Sequence, residues 1–244
     1  MKSLKTEAIV LRVVNYGESD FMLTLLTPMQ GLLGAKAAGA RKSQKRFGGA
    51  LQTGSVINAE LSAGKIGGFR LNEALYIHGG NPSDDLSSFA QISYLCELAL
   101  NFCQEGERSQ EIFEYLKKLF ERYAKKEHTL YEFMIFEARF LELAGFRPRL
   151  DECAVCRVKP CGKERFYADR TMESGELFCR EHAPQKAQEI DSSTALMLAF
   201  IVSREMPEAE FGKKINKTLL RKIFSSYIKG ITGRTMKSEP LLNL

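Results

Sequence analysis

The chain has 244 residues, of which 44% are hydrophobic and 27% are charged, and its formal net charge is +5 at pH 7. This composition predicts a soluble protein with a buried core, and the length favours one small and one medium domain. There is no apolar run long enough to span a membrane, and Glu7 comes too early for the apolar core of a signal peptide. We therefore expect a cytoplasmic chain whose six cysteines are free, metal-bound or reactive, not disulfide-bridged.

The first 80 residues predict short β-strands. Apolar runs cover residues 7–14, 21–27, 54–61 and 68–77, another strand begins at Leu32, and residues typical of turns separate them. No helical period lies between these runs, which favours a small barrel over a βαβ unit. We predict a five-stranded OB-like β-barrel domain at residues 1–80.

A helical period replaces the strand pattern after residue 80. Apolar side chains recur at helical spacing over residues 86–145, 192–204 and about 213–229. Cys96 and Cys103, seven residues apart on an apolar face, are predicted to be small core residues. The predicted fold class is therefore α+β and multidomain. The barrel is followed by a helical bundle domain at residues 81–244, interrupted at about residues 147–184 by an inserted irregular loop that holds four of the six cysteines.

A long window without acidic residues lies inside the predicted barrel. No Asp or Glu occurs from Phe21 to Ala59, and residues 1–80 carry ten Lys or Arg against five Asp or Glu. Cations displace the counterions of a polyanion, and glycines let the backbone approach it closely. Seven cations in or near this window are predicted to bind nucleic-acid phosphates: Lys36, Arg41, Lys42, Lys45, Arg46, Lys65 and Arg70.

This stretch leaves several interpretations open. Its aromatic neighbours Tyr16, Phe21, Phe47 and Phe69 are candidates for stacking on bases. Alternatively, the lysines only keep a hairpin soluble, and the pattern alone does not identify the polyanion. The spacing of Gly34 and Gly39 resembles the start of a P-loop, but Ala40-Arg41 stands where Lys-Ser/Thr is required. The sequence therefore excludes a P-loop.

Four residues in the irregular loop at about residues 147–184 have the spacing of metal ligands, so this loop is the predicted zinc-binding module. Cys153-x2-Cys156 and Cys179-x2-His182 are two pairs separated by 22 residues, each typical of a zinc knuckle. Three thiolates and one imidazole leave no open coordination position, so the predicted Zn²⁺ is structural. Cys161 is an alternative fourth ligand, and a third interpretation is that all these cysteines are ordinary reduced thiols.

The motifs of several enzyme classes are absent. The sequence contains no Ser-centred elbow, HExxH motif or dinucleotide fingerprint. The residues before Cys153 also lack the His-x-Glu and the proline of cytidine deaminases. We predict a nucleic-acid-binding protein that is not an enzyme. Two alternatives stay open: an RNA-binding OB module, and a metal-dependent nuclease with scattered carboxylates.

Several short motifs are distributed along the chain: Glu7-Ala8-Ile9-Val10-Leu11-Arg12, Tyr16-Gly17-Glu18-Ser19-Asp20, Ala38-Gly39-Ala40-Arg41-Lys42-Ser43, Arg46-Phe47-Gly48-Gly49, Gly145-Phe146-x-Pro148 and Cys153-x2-Cys156. Together they resemble the RecO family of bacterial recombination mediators, and the resemblance extends over essentially the whole chain. The resemblance implies an OB-fold followed by a helical domain, which carries zinc in many members. Where many of those members have a fourth cysteine, this chain has His182.

The same resemblance implies a function in DNA repair by the RecF pathway. Members of this family bind single- and double-stranded DNA and anneal complementary strands. They work with RecR and help RecA to displace single-strand-binding protein, whose C-terminal tail docks on the helical domain. The implied location is the bacterial cytoplasm, in association with the nucleoid.

Overall fold

The computed structural model describes residues 3–64, 68–80, 85–125, 128–205 and 215–243. The chain forms two compact units: Met1–His128 together with Lys237–Leu244, and Thr129–Met236. The predicted α+β class is confirmed, with an N-terminal five-stranded sheet followed by helices. The predicted domain boundary at residue 80 stays a prediction.

The first unit contains a closed five-stranded barrel. Its strands are β1 (Ser3–Tyr16), β2 (Asp20–Thr27), β3 (Gly31–Ala37), β4 (Ser55–Ala63) and β5 (Phe69–Gly79). They follow the order β1-β2-β3-β5-β4, and β1 also pairs with β4. All pairs are antiparallel except β3–β5, which is parallel and joins Ala35 to Phe69 and Lys36 to Arg70.

Side-chain alternation explains the barrel core. Leu23 and Leu25 of β2 are buried, whereas Met22 and Thr24, which alternate with them, point to the other face of the sheet. A short helix in the β3–β4 connection, α1 (Gln44–Phe47), adds Phe47 to the same core. The residues that stay outside the core therefore form a separate outer surface.

Two helices and the C-terminal segment complete the first unit. They are α2 (Leu86–Phe102), α3 (Gln110–Tyr123) and a 3-10 turn at Glu239–Asn243. The Asp85 carboxylate accepts hydrogen bonds from the first backbone N–H groups of α2. The Glu97 carboxylate accepts hydrogen bonds from the backbone N–H groups of Lys237 and Ser238, each at 2.8 Å. The last residues of the chain are thereby tied to α2.

Cys96 lies on α2 and Cys103 follows its last residue, and both side chains are buried, as the sequence predicts. Burial raises the pKa of the Cys103 thiol to about 11, and it also raises the pKa of the Cys96 thiol. These thiols are therefore protonated and unreactive near neutral pH.

The described part of the second unit contains three α-helices and short strands. The helices are α4 (Leu130–Leu143), α5 (Ser192–Ser203) and α6 (Lys217–Thr232). Strand β6 (Arg149–Cys153) pairs with β8 (Glu176–Leu177), and β7 (Phe166–Ala168) pairs with β9 (Gln188–Ile190). The segment predicted to be irregular thus contains short strands. None of the helices in the described ranges is long and apolar enough to cross a membrane.

A buried ion pair joins two helices of the second unit. Nη1 of Arg221 on α6 lies 2.5 Å from Oε2 of Glu137 on α4, and both side chains are almost fully buried. The Arg221 guanidinium also lies 5.6 Å from the ring centroid of Phe133. Removing either charge would leave the other in a poorly solvated interior.

We predict that Glu137→Ala lowers the free energy of unfolding by about 3–5 kcal/mol, because it leaves the buried Arg221 charge without this carboxylate. The control is Arg139→Ala, which breaks a partly exposed pair with Glu142 at 2.7 Å and should cost less than about 1 kcal/mol. Urea unfolding monitored by circular dichroism measures both. Equal losses in the two variants would contradict this account.

Candidate nucleic-acid interface and metal centre

The basic β3–β4 loop is fastened to the β1–β2 turn by hydrogen bonds. The backbone N–H of Gly39 donates to Oδ1 of Asp20 at 2.8 Å, and the backbone N–H of Arg41 donates to the carbonyl of Ser19 at 3.0 Å. The Arg41 guanidinium donates to the carbonyl of Glu18 at 3.2 Å. Arg41 is exposed, so its remaining donors are accessible to a ligand.

Arg46 stabilises the loop through hydrogen bonds to other residues of the loop. Its guanidinium donates to the carbonyl of Ala38 at 2.7 Å and to Oγ of Ser43 at 3.1 Å. Lys42 and Lys45 differ from Arg46, since both are exposed and neither forms an ion pair with another described residue. The loop therefore combines two cations that brace its backbone, Arg41 and Arg46, with two that only face solvent.

The outer face of β1, β2, β3 and β5 forms a second polar surface beside this loop. Cross-strand partners point to the same side of a sheet, and Met22 is paired with both Val14 and Lys36, which in turn is paired with Arg70. The exposed or half-exposed residues of this outer face include Arg12, Val14, Tyr16, Asp20, Met22, Thr24, Gly34, Lys36 and Arg70. The barrel thus gathers cations and apolar side chains from four strands.

Lys36 occupies a fixed position on this face. Its Nζ lies 2.9 Å from Oδ2 of Asp20 and 4.8 Å from the ring centroid of Tyr16. The backbone N–H of Gly39 and then the Lys36 ammonium lower the pKa of the Asp20 carboxyl to about 2. Asp20 is therefore ionised at neutral pH, where it orients Lys36 beside the exposed ring.

The seven predicted phosphate ligands fall into two groups. Lys36 and Arg70 are neighbours on the barrel, whereas the other described members lie on the β3–β4 loop: Arg41, Lys42, Lys45 and Arg46. Lys65 lies outside the described residues. The sequence analysis did not include Arg12, which is exposed on the outer face. Arg12, Val14 and Tyr16 are spaced two residues apart, and this alternation indicates that the three side chains share one face of β1.

Only one of the four predicted stacking aromatics is well exposed. Tyr16 is 54% exposed, whereas Phe47 is 3% exposed and Phe21 and Phe69 are half-buried against the barrel core. Tyr16 is therefore the aromatic side chain of this set that can offer a ring face to a base.

The four predicted metal ligands come together in the second unit. Ligand atoms of Cys153, Cys156, Cys179 and His182 all lie within 4.8 Å of one another, a group that could hold a metal ion. Sγ of Cys156 lies 3.8 Å from Sγ of Cys179, and Nδ1 of His182 lies 3.2 Å from the Cys179 sulfur. Cys161 is exposed and does not belong to this group.

Local backbone hydrogen bonds build this cluster. The N–H of Cys153 donates to the carbonyl of Val158 at 2.8 Å, and the N–H of Arg157 donates to the carbonyl of Cys153 at 2.9 Å. Arg157 has a left-handed φ of 62°, which closes the tight turn after Cys156. A 3-10 turn at Arg180–His182 brings His182 back towards Cys179.

The electrostatics of the cluster favour a thiolate. Burial alone would raise the pKa of the Cys153 thiol, but backbone N–H donors from Cys179, Cys156 and Val155 outweigh it and lower this pKa to about 6. Since the thiolate is the form that ligates metals, the described backbone prepares this side chain for coordination.

Comparison with known proteins places the chain in a family. The family models described as Recombination protein O N terminal and Recombination protein O C terminal match residues 1–78 and 83–240. A Myxococcus xanthus protein named DNA repair protein RecO is 29% identical over 239 residues, which cover 98% of this chain and 96% of that protein. A Geobacter metallireducens protein of the same name is 35% identical over 181 residues, covering 73% of this chain and 72% of that protein. With both family models matched along the chain, the protein belongs to the recombination protein O (RecO) family.

Proposed function

We propose that this protein is a non-catalytic DNA-binding recombination mediator in DNA repair. It binds and anneals single-stranded DNA and helps to load RecA onto DNA coated by single-strand-binding protein. Its partners are single- and double-stranded DNA, RecR and the C-terminal tail of single-strand-binding protein, in the bacterial cytoplasm at the nucleoid. Membership of the RecO family, whose relatives carry the name DNA repair protein, supports this function.

The observation that carries the proposal is the cationic outer surface of the barrel. A small closed barrel with strand order β1-β2-β3-β5-β4 agrees with an OB-type fold, which binds oligonucleotides on one face and its adjoining loops. The solvent-facing charges of Lys42, Lys45 and Arg70 are suited to phosphates, because each contact releases a condensed counterion. Phosphate contacts of this kind bind any sequence, as a mediator requires.

Annealing follows from the same electrostatics. Two complementary strands repel each other through their phosphates, and a surface that neutralises some of these charges lowers the repulsion. Arg41 and Arg46 hold the loop in place with hydrogen bonds to backbone carbonyls, so the cations are positioned before DNA binds. Bases not engaged by the surface remain free to pair.

We predict that replacing Lys42, Lys45 and Arg70 together with Gln weakens binding to single-stranded DNA and lowers its salt dependence. The slope of log K against log salt should fall by about 2, since each phosphate contact on a single strand contributes about 0.7. Fluorescence anisotropy at several salt concentrations measures this slope. These positions avoid Arg41 and Arg46, whose loss would also disturb the loop.

The matched control replaces three other exposed lysines of the first unit with Gln: Lys5, Lys118 and Lys125. It changes the net charge equally, so its salt slope should stay near that of the wild type. Equal slopes in the two triple variants would place the DNA-binding surface elsewhere.

The whole function is tested by annealing complementary strands coated with single-strand-binding protein. The wild-type protein should accelerate annealing, the Lys42/Lys45/Arg70 variant should do so less, and the lysine control should match the wild type. No acceleration by the wild type would contradict the proposal. Cleavage of DNA in the presence of Mg²⁺ or Mn²⁺ would instead indicate a nuclease.

We further propose that Cys153, Cys156, Cys179 and His182 hold a structural Zn²⁺ ion. Two sulfurs bound to one tetrahedral zinc at about 2.3 Å lie about 3.8 Å apart, and the Cys156 and Cys179 sulfurs are separated by 3.8 Å. Four protein ligands leave no position for a reacting water, so the bound ion would contribute folding energy. The ligands would join the turn after β6 to the 3-10 turn after β8.

We predict that Cys153→Ser releases zinc and lowers the melting temperature, because metal binding in such a site is coupled to folding. Cys161→Ser is the control and should retain both zinc and stability, whereas His182→Cys should also retain zinc. Elemental analysis and thermal melts measure these effects. A wild-type protein purified without chelators that contains no metal would disprove the zinc site, and loss of zinc in Cys161→Ser would reassign the fourth ligand.

A further inference from the structure

The cysteines clustered in the second unit differ in how far solvent reaches them. Cys156 is exposed, whereas Cys179 is 9% exposed and Cys153 is 0% exposed. An open cleft of about 530 Å³ is lined by Cys156 and Cys179, together with Val158 and Tyr167 among others. A small solute that enters this cleft therefore reaches the Cys156 sulfur first and meets a second cysteine beside it.

The two cysteines of the cleft are also close enough to react with each other. Sγ of Cys156 lies 3.8 Å from Sγ of Cys179, and a disulfide bond needs about 2 Å. Cys156 lies in the exposed turn after β6, so a side-chain rotation and a small shift of this turn close the gap. Cys153 is held more firmly, because three backbone N–H groups donate to its buried sulfur. The geometry therefore favours a bond between Cys156 and Cys179.

The remaining cysteines lack this combination of properties. Cys96 and Cys103 are buried in the first unit, and Cys161 is exposed but does not belong to the cluster. Cysteines that bind a metal do so as thiolates, the nucleophilic form of the side chain. Peroxides oxidise accessible thiolates, above all those with a second thiol nearby. Cys156 combines exposure with membership of the cluster, and it is therefore the first target for such an oxidant.

We propose that Cys156 and Cys179 are a peroxide-sensitive pair whose oxidation to a disulfide releases the zinc ion. The inference rests on the proposed zinc site and adds a modification site to it. The Cys156 sulfur attacks one oxygen of hydrogen peroxide, and the O–O bond breaks. The departing hydroxide takes a proton from solvent, so this step leaves a sulfenic acid and one water.

The second step closes the disulfide. The Cys179 sulfur attacks the sulfur of the sulfenic acid, the S–O bond breaks, and the second hydroxide also becomes water by taking a proton from solvent. The two sulfurs together lose two electrons, and the peroxide is reduced to two waters. Only Cys153 and His182 of the cluster then remain as ligands, too few for a tetrahedral site.

The new bond still connects the turns that the zinc ligands connect. Cys156 belongs to the turn after β6, and Cys179 immediately precedes the 3-10 turn at Arg180–His182. The module therefore keeps this link while the ion is absent. Reduction of the disulfide restores both thiols at the same place, so we expect the change to be reversible.

The test treats the zinc-loaded full chain with a small excess of hydrogen peroxide and follows zinc release with a chromogenic chelator. We expect about one zinc ion per chain to be released. After denaturation, two of the six thiols should no longer react with an alkylating agent. Peptide mapping without reduction should identify a link between Cys156 and Cys179, and dithiothreitol with added Zn²⁺ should reverse both changes. A link from Cys156 to Cys153 or to Cys161 in its place would overturn the assignment.

Cys156→His is the decisive variant, because an imidazole keeps four ligands at the site and removes the accessible thiol. It should bind zinc and release it at least about tenfold more slowly under the same peroxide. Release at the wild-type rate would contradict the inference. Cys161→Ser is the matched control, since it removes an exposed thiol outside the cluster, and it should respond like the wild type. If Cys156→His fails to hold zinc, the peptide map of the wild type still decides which sulfurs are joined.

Two outcomes separate the inference from the site on which it rests. If the wild type contains zinc and peroxide does not release it, the inference is overturned while the zinc site stands. If the wild type purified without chelators contains no zinc, the proposed zinc site fails and the inference fails with it.

Discussion

The short parallel pairing of β3 with β5 is the constraint on which the candidate DNA-binding surface depends. Among the described residues it joins Ala35 to Phe69 and Lys36 to Arg70, yet it closes the barrel between two strands that are not consecutive in sequence. Closure fixes which side chains point outwards, because residues alternate between the two faces of each strand. The same pairing places two cations from different strands side by side.

A single carboxylate orders the edge of this basic surface. Asp20 precedes the acid-free window and accepts hydrogen bonds from the Gly39 backbone and the Lys36 ammonium. Its negative charge partly cancels the local field, but it also fixes the loop and the lysine, which lowers the entropy lost when a ligand binds. The surface therefore combines ordered cations near Asp20 with solvent-facing ones at Lys42 and Lys45.

The sequence predicts those features that depend on neighbouring residues. The strands of the barrel and the Cys-x2-Cys and Cys-x2-His pairs follow from short-range patterns, since a tight turn suffices to bring each pair together. The outer face follows from strand register instead, which is why Arg12 was missed and why the exposed position of Gly34 could not be recognised. The hydrogen bonds between the C-terminal segment and Glu97 join residues 140 positions apart. No short-range sequence pattern predicts a contact over this separation.

Arg41 and Arg46 show why the number of positive charges in a loop does not by itself identify the residues that contact phosphates. In the sequence, Arg41, Lys42, Lys45 and Arg46 are four equivalent positive charges. In the structure, Arg46 donates a hydrogen bond to the carbonyl of Ala38, and Arg41 donates one to the carbonyl of Glu18. Removing either would change loop geometry and charge together, so lost affinity would not identify a phosphate contact. Within the described chain, the distinction between building the loop and facing the ligand is made by hydrogen-bond partners, and those partners depend on the closed barrel.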